Sequence, residues 1–102
     1  MSNLKDLENI NQLYDQYGSL LTDKQQEYFE LYYFEDLSLQ EIADEHSVSR
    51  NAVHTNIKNS VSLLSNYEDK LQIIKKKHQL LDEIDKIEST HKIDLDKLKD
   101  LL

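Results

Sequence analysis

Apolar positions recur every three or four residues along almost the whole chain, and that period predicts helices throughout. Leu7, Ile10, Leu13, Tyr14 and Tyr17 share one face of a first helix over about residues 4–17, with Gly18 as its stop. Thr22-Asp23-Lys24-Gln25 reads as a capping box and opens a second helix over about residues 23–34. This second helix is aromatic, carrying Tyr28, Phe29, Tyr32, Tyr33 and Phe34 around Leu31. A base-stacking platform needs cations between its rings. Here the neighbours are Glu27, Glu30, Glu35 and Asp36, so the rings are expected in the core with the Tyr hydroxyls at its rim.

Leu37–Asn59 reads as a complete helix-turn-helix. Ser38 and Glu41 form a second capping box, and Ile42 and Ala43 follow as a short apolar face on which another helix can cross closely. His46-Ser47-Val48-Ser49 makes the turn, with Val48 expected inward and Ser49 placed to cap the next helix. At position 47 many such turns use Gly for a left-handed backbone. Ser there costs about 1 kcal/mol if that conformation is adopted. Ala52, Val53 and Ile57 are expected inward, leaving Arg50, Asn51, His54, Thr55 and Lys58 on the remaining faces. A capped helix that presents those side chains, crossed by another, has the geometry that reads a major groove.

The same helix is expected to continue to about Ser65, and Ser65 or Asn66 to cap a fifth over about 67–88. Tyr67, Leu71, Ile74, His78 and Leu81 alternate steps of four and three, a heptad-like seam for dimerisation or docking. Leu80, Ile84 and Ile87 shift the stripe, so a strict coiled coil is not sustained. Ser89–Lys92 breaks the pattern, and Ile93, Leu95, Leu98, Leu101 and Leu102 make a short terminal helix that Asp94 would cap. The expected organisation is one continuous domain, a helix-turn-helix head over residues 1–66 with a helical extension over residues 67–102. The extension either folds back on the first helix or pairs with a second copy, a homodimer being the expectation.

Composition supports an all-α chain: it has no Pro, one Gly, no Cys and no Trp in 102 residues. No apolar run approaches the ~18 residues of a membrane span, and the opening residues lack a signal-peptide pattern, so a cytoplasmic protein with no membrane partner is expected. The net charge of −8 is unevenly spread. Residues 1–48 hold two Lys and eleven acids (−9), residues 49–67 hold Arg50 and Lys58 with no acid (+2), and residues 68–102 hold eight Lys and nine acids (−1). The positive island therefore coincides with the recognition helix. Two cations are few for a DNA binder working alone, because affinity comes from neutralising phosphates.

No enzyme site is legible, and no cofactor or metal is expected. One Gly cannot build a phosphate loop. Glu88 and His91 stand at E-x-x-H spacing, but a carboxylate di-metal centre needs two such pairs with further Glu on facing helices. Lys75-Lys76-Lys77 could touch RNA or phosphate, but Asp82, Glu83 and Asp85 follow along the same helix, and a solvated face is the expectation.

Leu21-Thr22-Asp23-Lys24-Gln25, Tyr28–Tyr33, Glu35–Ala43, Val48-Ser49-Arg50, Ala52-Val53, Asn56-Ile57-Lys58, Leu63-Leu64 and Tyr67–Leu71 together resemble the YlxM-type family of small bacterial proteins over about residues 10–75. The resemblance implies an all-α helix-turn-helix bundle without a wing, similar to the DNA-reading region 4 of sigma factors. It also implies regulators connected with the signal recognition particle, with the particle's GTPase as a partner. Positions 51, 54, 55 and 59 are Asn, His, Thr and Asn where the family pattern favours Gln, Tyr, Asp and Arg. Lack of Arg at 59 removes a phosphate contact, worth roughly one unit of salt slope. Two functions follow: a regulatory binding protein of the targeting pathway acting through protein contacts and DNA, and a sequence-specific transcriptional regulator unrelated to targeting.

Overall fold

The computed structural model describes residues 4–102. Helices α1 (Leu4–Tyr17), α2 (Asp23–Tyr33), α3 (Leu39–His46), α4 (Arg50–Leu71), α5 (Ile73–His91) and α6 (Asp96–Lys99) follow in order, with a 3-10 turn at Gly18–Leu20. No strand occurs among the described residues. The chain is all-α, as its periodicity predicts.

Side-chain caps fix three of the helix starts. Thr22 Oγ1 accepts from the Gln25 N–H at 3.2 Å, and Gln25 Oε1 accepts from the Thr22 N–H at 3.0 Å. Ser38 and Glu41 repeat the exchange at 3.0 and 3.1 Å. Ser49 Oγ accepts from the Ala52 N–H at 3.0 Å. Each bond satisfies an amide that the first helical turn leaves without a partner. The turn between α3 and α4 is a Schellman closure without glycine. Ser47 is left-handed (φ 55°), its N–H donates to Asp44 O, and the Val48 N–H donates to Ala43 O.

Gly18 ends α1 for a reason other than backbone handedness, since no glycine has positive φ. A Cβ at Gly18 would lie 3.0 Å from the Tyr14 ring. That ring is pinned by stacking on Phe29, with centroids 4.1 Å and planes 6° apart.

The core lies around α4, which α1, α2 and α3 all contact. Tyr28, Ile42, Ala43, Val53 and Ile57 form the helix-turn-helix core, and Tyr17, Leu21, Phe29 and Leu64 form a second cluster towards α1. The expected inward positions of Val48 and Ala52 are not observed. Val48 is 41% exposed and Ala52 is also exposed. The Schellman closure uses the Val48 backbone rather than its side chain, and Ala52 lies beyond the edge of the face that carries Val53. Phe34, edge-on to Phe29 and Tyr14, is 48% exposed at the margin of the aromatic cluster.

The expected break at Ser65–Asn66 is not there. Leu64 and Tyr67 both face the second cluster, so α4 continues through them to Leu71. The chain turns at Gln72, left-handed at φ 54°. A latch assembled from distant residues holds the turn. Tyr17 Oη, on a fully buried ring, donates to Glu68 Oε1 at 2.6 Å and accepts from the Ile73 N–H at 3.2 Å. Glu68 also accepts from the Ile74 N–H at 3.0 Å and the Lys75 N–H at 3.1 Å. The first three amides of α5 are thereby satisfied by side chains of α1 and α4. Burial pushes the Glu68 carboxyl up, but these hydrogen bonds and the field of His78 outweigh it and hold the group below its ordinary 4.5. Burial and the hydrogen bond to Glu68 raise the Tyr17 phenol.

Past the head, α5 runs out as an arm with α6 folded back on it. Ile84 is 2% exposed. Glu88 accepts from Lys99 Nζ at 2.7 Å and from the Leu95 N–H at 2.7 Å, fastening α6 to α5. Helix α6 starts at Asp96, later than a cap at Asp94 would place it, and the Asp94 carboxylate accepts from the Asp96 N–H at 2.9 Å. The molecule measures 59 × 25 × 23 Å, and its radius of gyration of 17.6 Å exceeds the ~13 Å of a compact chain this long.

Candidate nucleic-acid interface

Ser49 sets the start of α4, and the helix period sets what it shows. At about 100° per residue, Val53, Ile57, Ser60 and Leu64 fall within an arc of about 60°, and all four are buried. Arg50, Asn51, His54, Thr55 and Lys58 occupy the adjacent arc of about 140°, and all five are exposed. Ile42 and Ala43, both fully buried, seat α3 across the inner side of α4 and leave that arc open.

The five predicted residues therefore share one contiguous surface on the first three turns of α4. Its donors suit base edges: a guanidinium fits guanine, a carboxamide fits adenine, and hydroxyl and imidazole groups adapt to either. Lys58 stands two turns after Arg50 at the far end, where a phosphate contact is the natural use. No acidic side chain occurs on α4 before Glu68. His54 and Lys58 also border a groove of about 300 Å³ whose other walls include Tyr32, Tyr33 and Leu39.

His46 is directed elsewhere. Its Nε2 lies 3.2 Å from Glu27 Oε1 without a hydrogen bond and its ring meets Tyr28 edge-on, so it packs α3 against α2. Glu88 of the E-x-x-H pair is engaged with Lys99 and Leu95, and His91 is exposed. Glu88, Asp94 and Asp96 come close together, with Lys99 pairing to both Glu88 and Asp96.

Of the residues predicted for dimerisation or docking, Tyr67 and Ile74 pack against the second cluster, Leu81 is half-buried, and Leu71 and His78 are exposed. The exposed apolar side chains of α5 itself are Ile73, Leu80 and Ile87. Their seven-residue spacing was present in the sequence. The alternating four-three seam obscures it, because that seam crosses a turn no local signal marks.

The profile of UPF0122, described as "Putative helix-turn-helix protein, YlxM / p13 like", matches residues 4–101. The chain belongs to this family. UPF0122 protein YofM of Lactococcus lactis is 44% identical over 95 residues, covering 90% of this chain and 86% of the relative. UPF0122 protein YlxM of Bacillus subtilis is 54% identical over 67 residues, covering 66% of this chain and 61% of the relative. A UPF0122 protein of Desulforamulus reducens is 52% identical over 73 residues, covering 72% of this chain and 62% of the relative. The chain thus spans about three-fifths of the length of the last two. UPF0122 is described by its helix-turn-helix and not by a reaction. Among the described residues, no helix is long and apolar enough to cross a membrane.

Proposed function

We propose that this protein is a non-enzymatic regulatory binding protein that uses the exposed face of α4 to contact nucleic acid, with duplex DNA as the ligand. One observation carries the reading: Arg50, Asn51, His54, Thr55 and Lys58 form one exposed, acid-free surface in a chain of net charge −8. A local cationic face acts despite distant acids, because screening limits their reach to about 8–10 Å at physiological salt. The test is a binding titration on sites selected from random duplex DNA. Arg50→Ala is expected to weaken the selected site by about 1–3 kcal/mol and relax its sequence preference, and Lys58→Ala to lower the salt slope by about one unit. An Arg50→Ala variant that binds every sequence as the parent does would sink the reading.

A second reading is favoured by the charge of the first half, −9 over residues 1–48. There the protein acts in the signal recognition particle pathway, as the YlxM resemblance implies, and its acidic side meets a basic surface of the GTPase. Such an association is salt-sensitive, needs no DNA and survives Arg50→Ala. Recovery of the GTPase on tagged protein, equal with and without nuclease, supports it. No association between purified components at low salt would refute it.

A further inference from the structure

Ile73, Leu80 and Ile87 stand seven residues apart on α5 and remain 38%, 47% and 43% exposed. They form a strip about 21 Å long on one side of the arm. Leu101, 81% exposed, and Leu102 widen it beside Ile73 and Leu80, across a groove of about 390 Å³. The strip is symmetric about Leu80, with one Ile two turns before it and one two turns after. A second copy reversed about a two-fold axis at Leu80 places Leu80 on Leu80, and Ile73 on Ile87 of the other copy.

The charges obey the same inversion. The first half of α5 carries Lys75, Lys76 and Lys77, and the second half carries Asp82, Glu83, Asp85 and Glu88, with Lys86 the one cation among them. Lys76 and Glu83 lie on the same flank of the strip, at about 60° and 80° from Ile73. A two-fold axis perpendicular to both helices maps each flank onto itself, so Lys76 of one copy meets Glu83 of the other, twice. Both side chains are exposed, and the only ion pair Glu83 makes among the described residues is a solvated one with Lys86. The opposite flank is occupied within the chain: Lys77 reaches Gln16, and Glu88 holds Lys99. A parallel pairing would instead set the three lysines against their own copies.

We infer that α5 is the interface of an antiparallel two-fold homodimer centred on Leu80. The proposal is independent of what α4 binds, although a dimer carries two copies of the Arg50–Lys58 face. The strip is one helix wide, which puts the interface at the small end of specific interfaces, about 1,200 Å² in total, and self-association at the weak, micromolar end of the range such areas span.

Sedimentation equilibrium of the full chain from about 5 to 500 µM is expected to show a shift from 12.1 kDa towards twice that mass. Leu80→Asp sets two charges together on the axis and should weaken association at least tenfold, with far-UV helicity retained. Lys76→Glu and Glu83→Lys should each weaken it by about tenfold, because symmetry counts each change twice. An equimolar mixture of those two variants restores both pairs and should dimerise like the parent. A parent chain that stays monomeric across the range overturns the proposal. So does a helical Leu80→Asp variant that dimerises undiminished, or a variant mixture that associates no better than its components.

Discussion

Replacing Glu68 by Ala tests whether the turn at Gln72 is held by the latch. The carboxylate accepts from Tyr17 Oη, the Ile74 N–H and the Lys75 N–H at 2.6, 3.0 and 3.1 Å. Alanine leaves two amides at the start of α5 without a partner and removes the acceptor of a buried hydroxyl. Each hydrogen bond contributes about 1 kcal/mol net, and somewhat more to a charged acceptor, so the loss should be about 2–4 kcal/mol. For a chain of this size that is a fall in Tm of roughly 10–20 °C. Urea unfolding at pH 7 measures it, and hydrogen exchange locates it, with Ile74 and Lys75 expected to lose protection before the amides of α2. The sign of the pH dependence follows from the depressed carboxyl of Glu68. Its contribution is complete above the ordinary 4.5 and is lost as pH falls through the lower folded value. The stability gap between parent and variant should therefore narrow in acid. Tyr17→Phe should cost less on its own, and the double variant less than the sum of the two. A cost below about 0.5 kcal/mol, or a gap that does not narrow in acid, would refute the latch.

Other substitutions probe the local rules. Gly18→Ala should destabilise by about 1–3 kcal/mol in thermal unfolding, because its Cβ meets a ring held by Phe29. A neutral result would mean that Tyr14 moves freely. Ser47→Gly should raise stability by up to about 1 kcal/mol, since its left-handed φ of 55° suits glycine; urea midpoints at unchanged m-value decide it. Ser49→Ala should cost about 0.5–2 kcal/mol and loosen the first turn of α4. Nuclear magnetic resonance shifts confined to Arg50–Val53 would show this.

Much of the molecule was legible in the sequence because the controlling interactions are local. Thr22 with Gln25, Ser38 with Glu41, and Ser49 with Ala52 act over three residues, so the starts of α2, α3 and α4 could be read directly. The exposed face of α4 was equally legible, since helical period alone separates Arg50, Asn51, His54, Thr55 and Lys58 from Val53 and Ile57. The family resemblance drew on these same segments.

Tertiary structure decided what depends on distant partners. The end of α4 is not legible locally, because Ser65 and Asn66 are good capping residues, while the actual turn needs Tyr17, 51 residues before Glu68. Local propensity favours a cap at Ser65 by at most about 2 kcal/mol, and burying Leu64 and Tyr67 on either side of it outweighs that. Gly18 reads locally as a helix stop, and only its packing against Tyr14 gives the reason for it. The exposed apolar stripe was decided in the same way: once the chain turns at Gln72, Tyr67 and Ile74 pack into the head, and Ile73, Leu80 and Ile87 stay exposed. Sequence determined which residues face one another within a helix, because that geometry repeats every 3.6 residues. Where helices end against one another was set by contacts between residues far apart in the chain, and no local pattern encodes those.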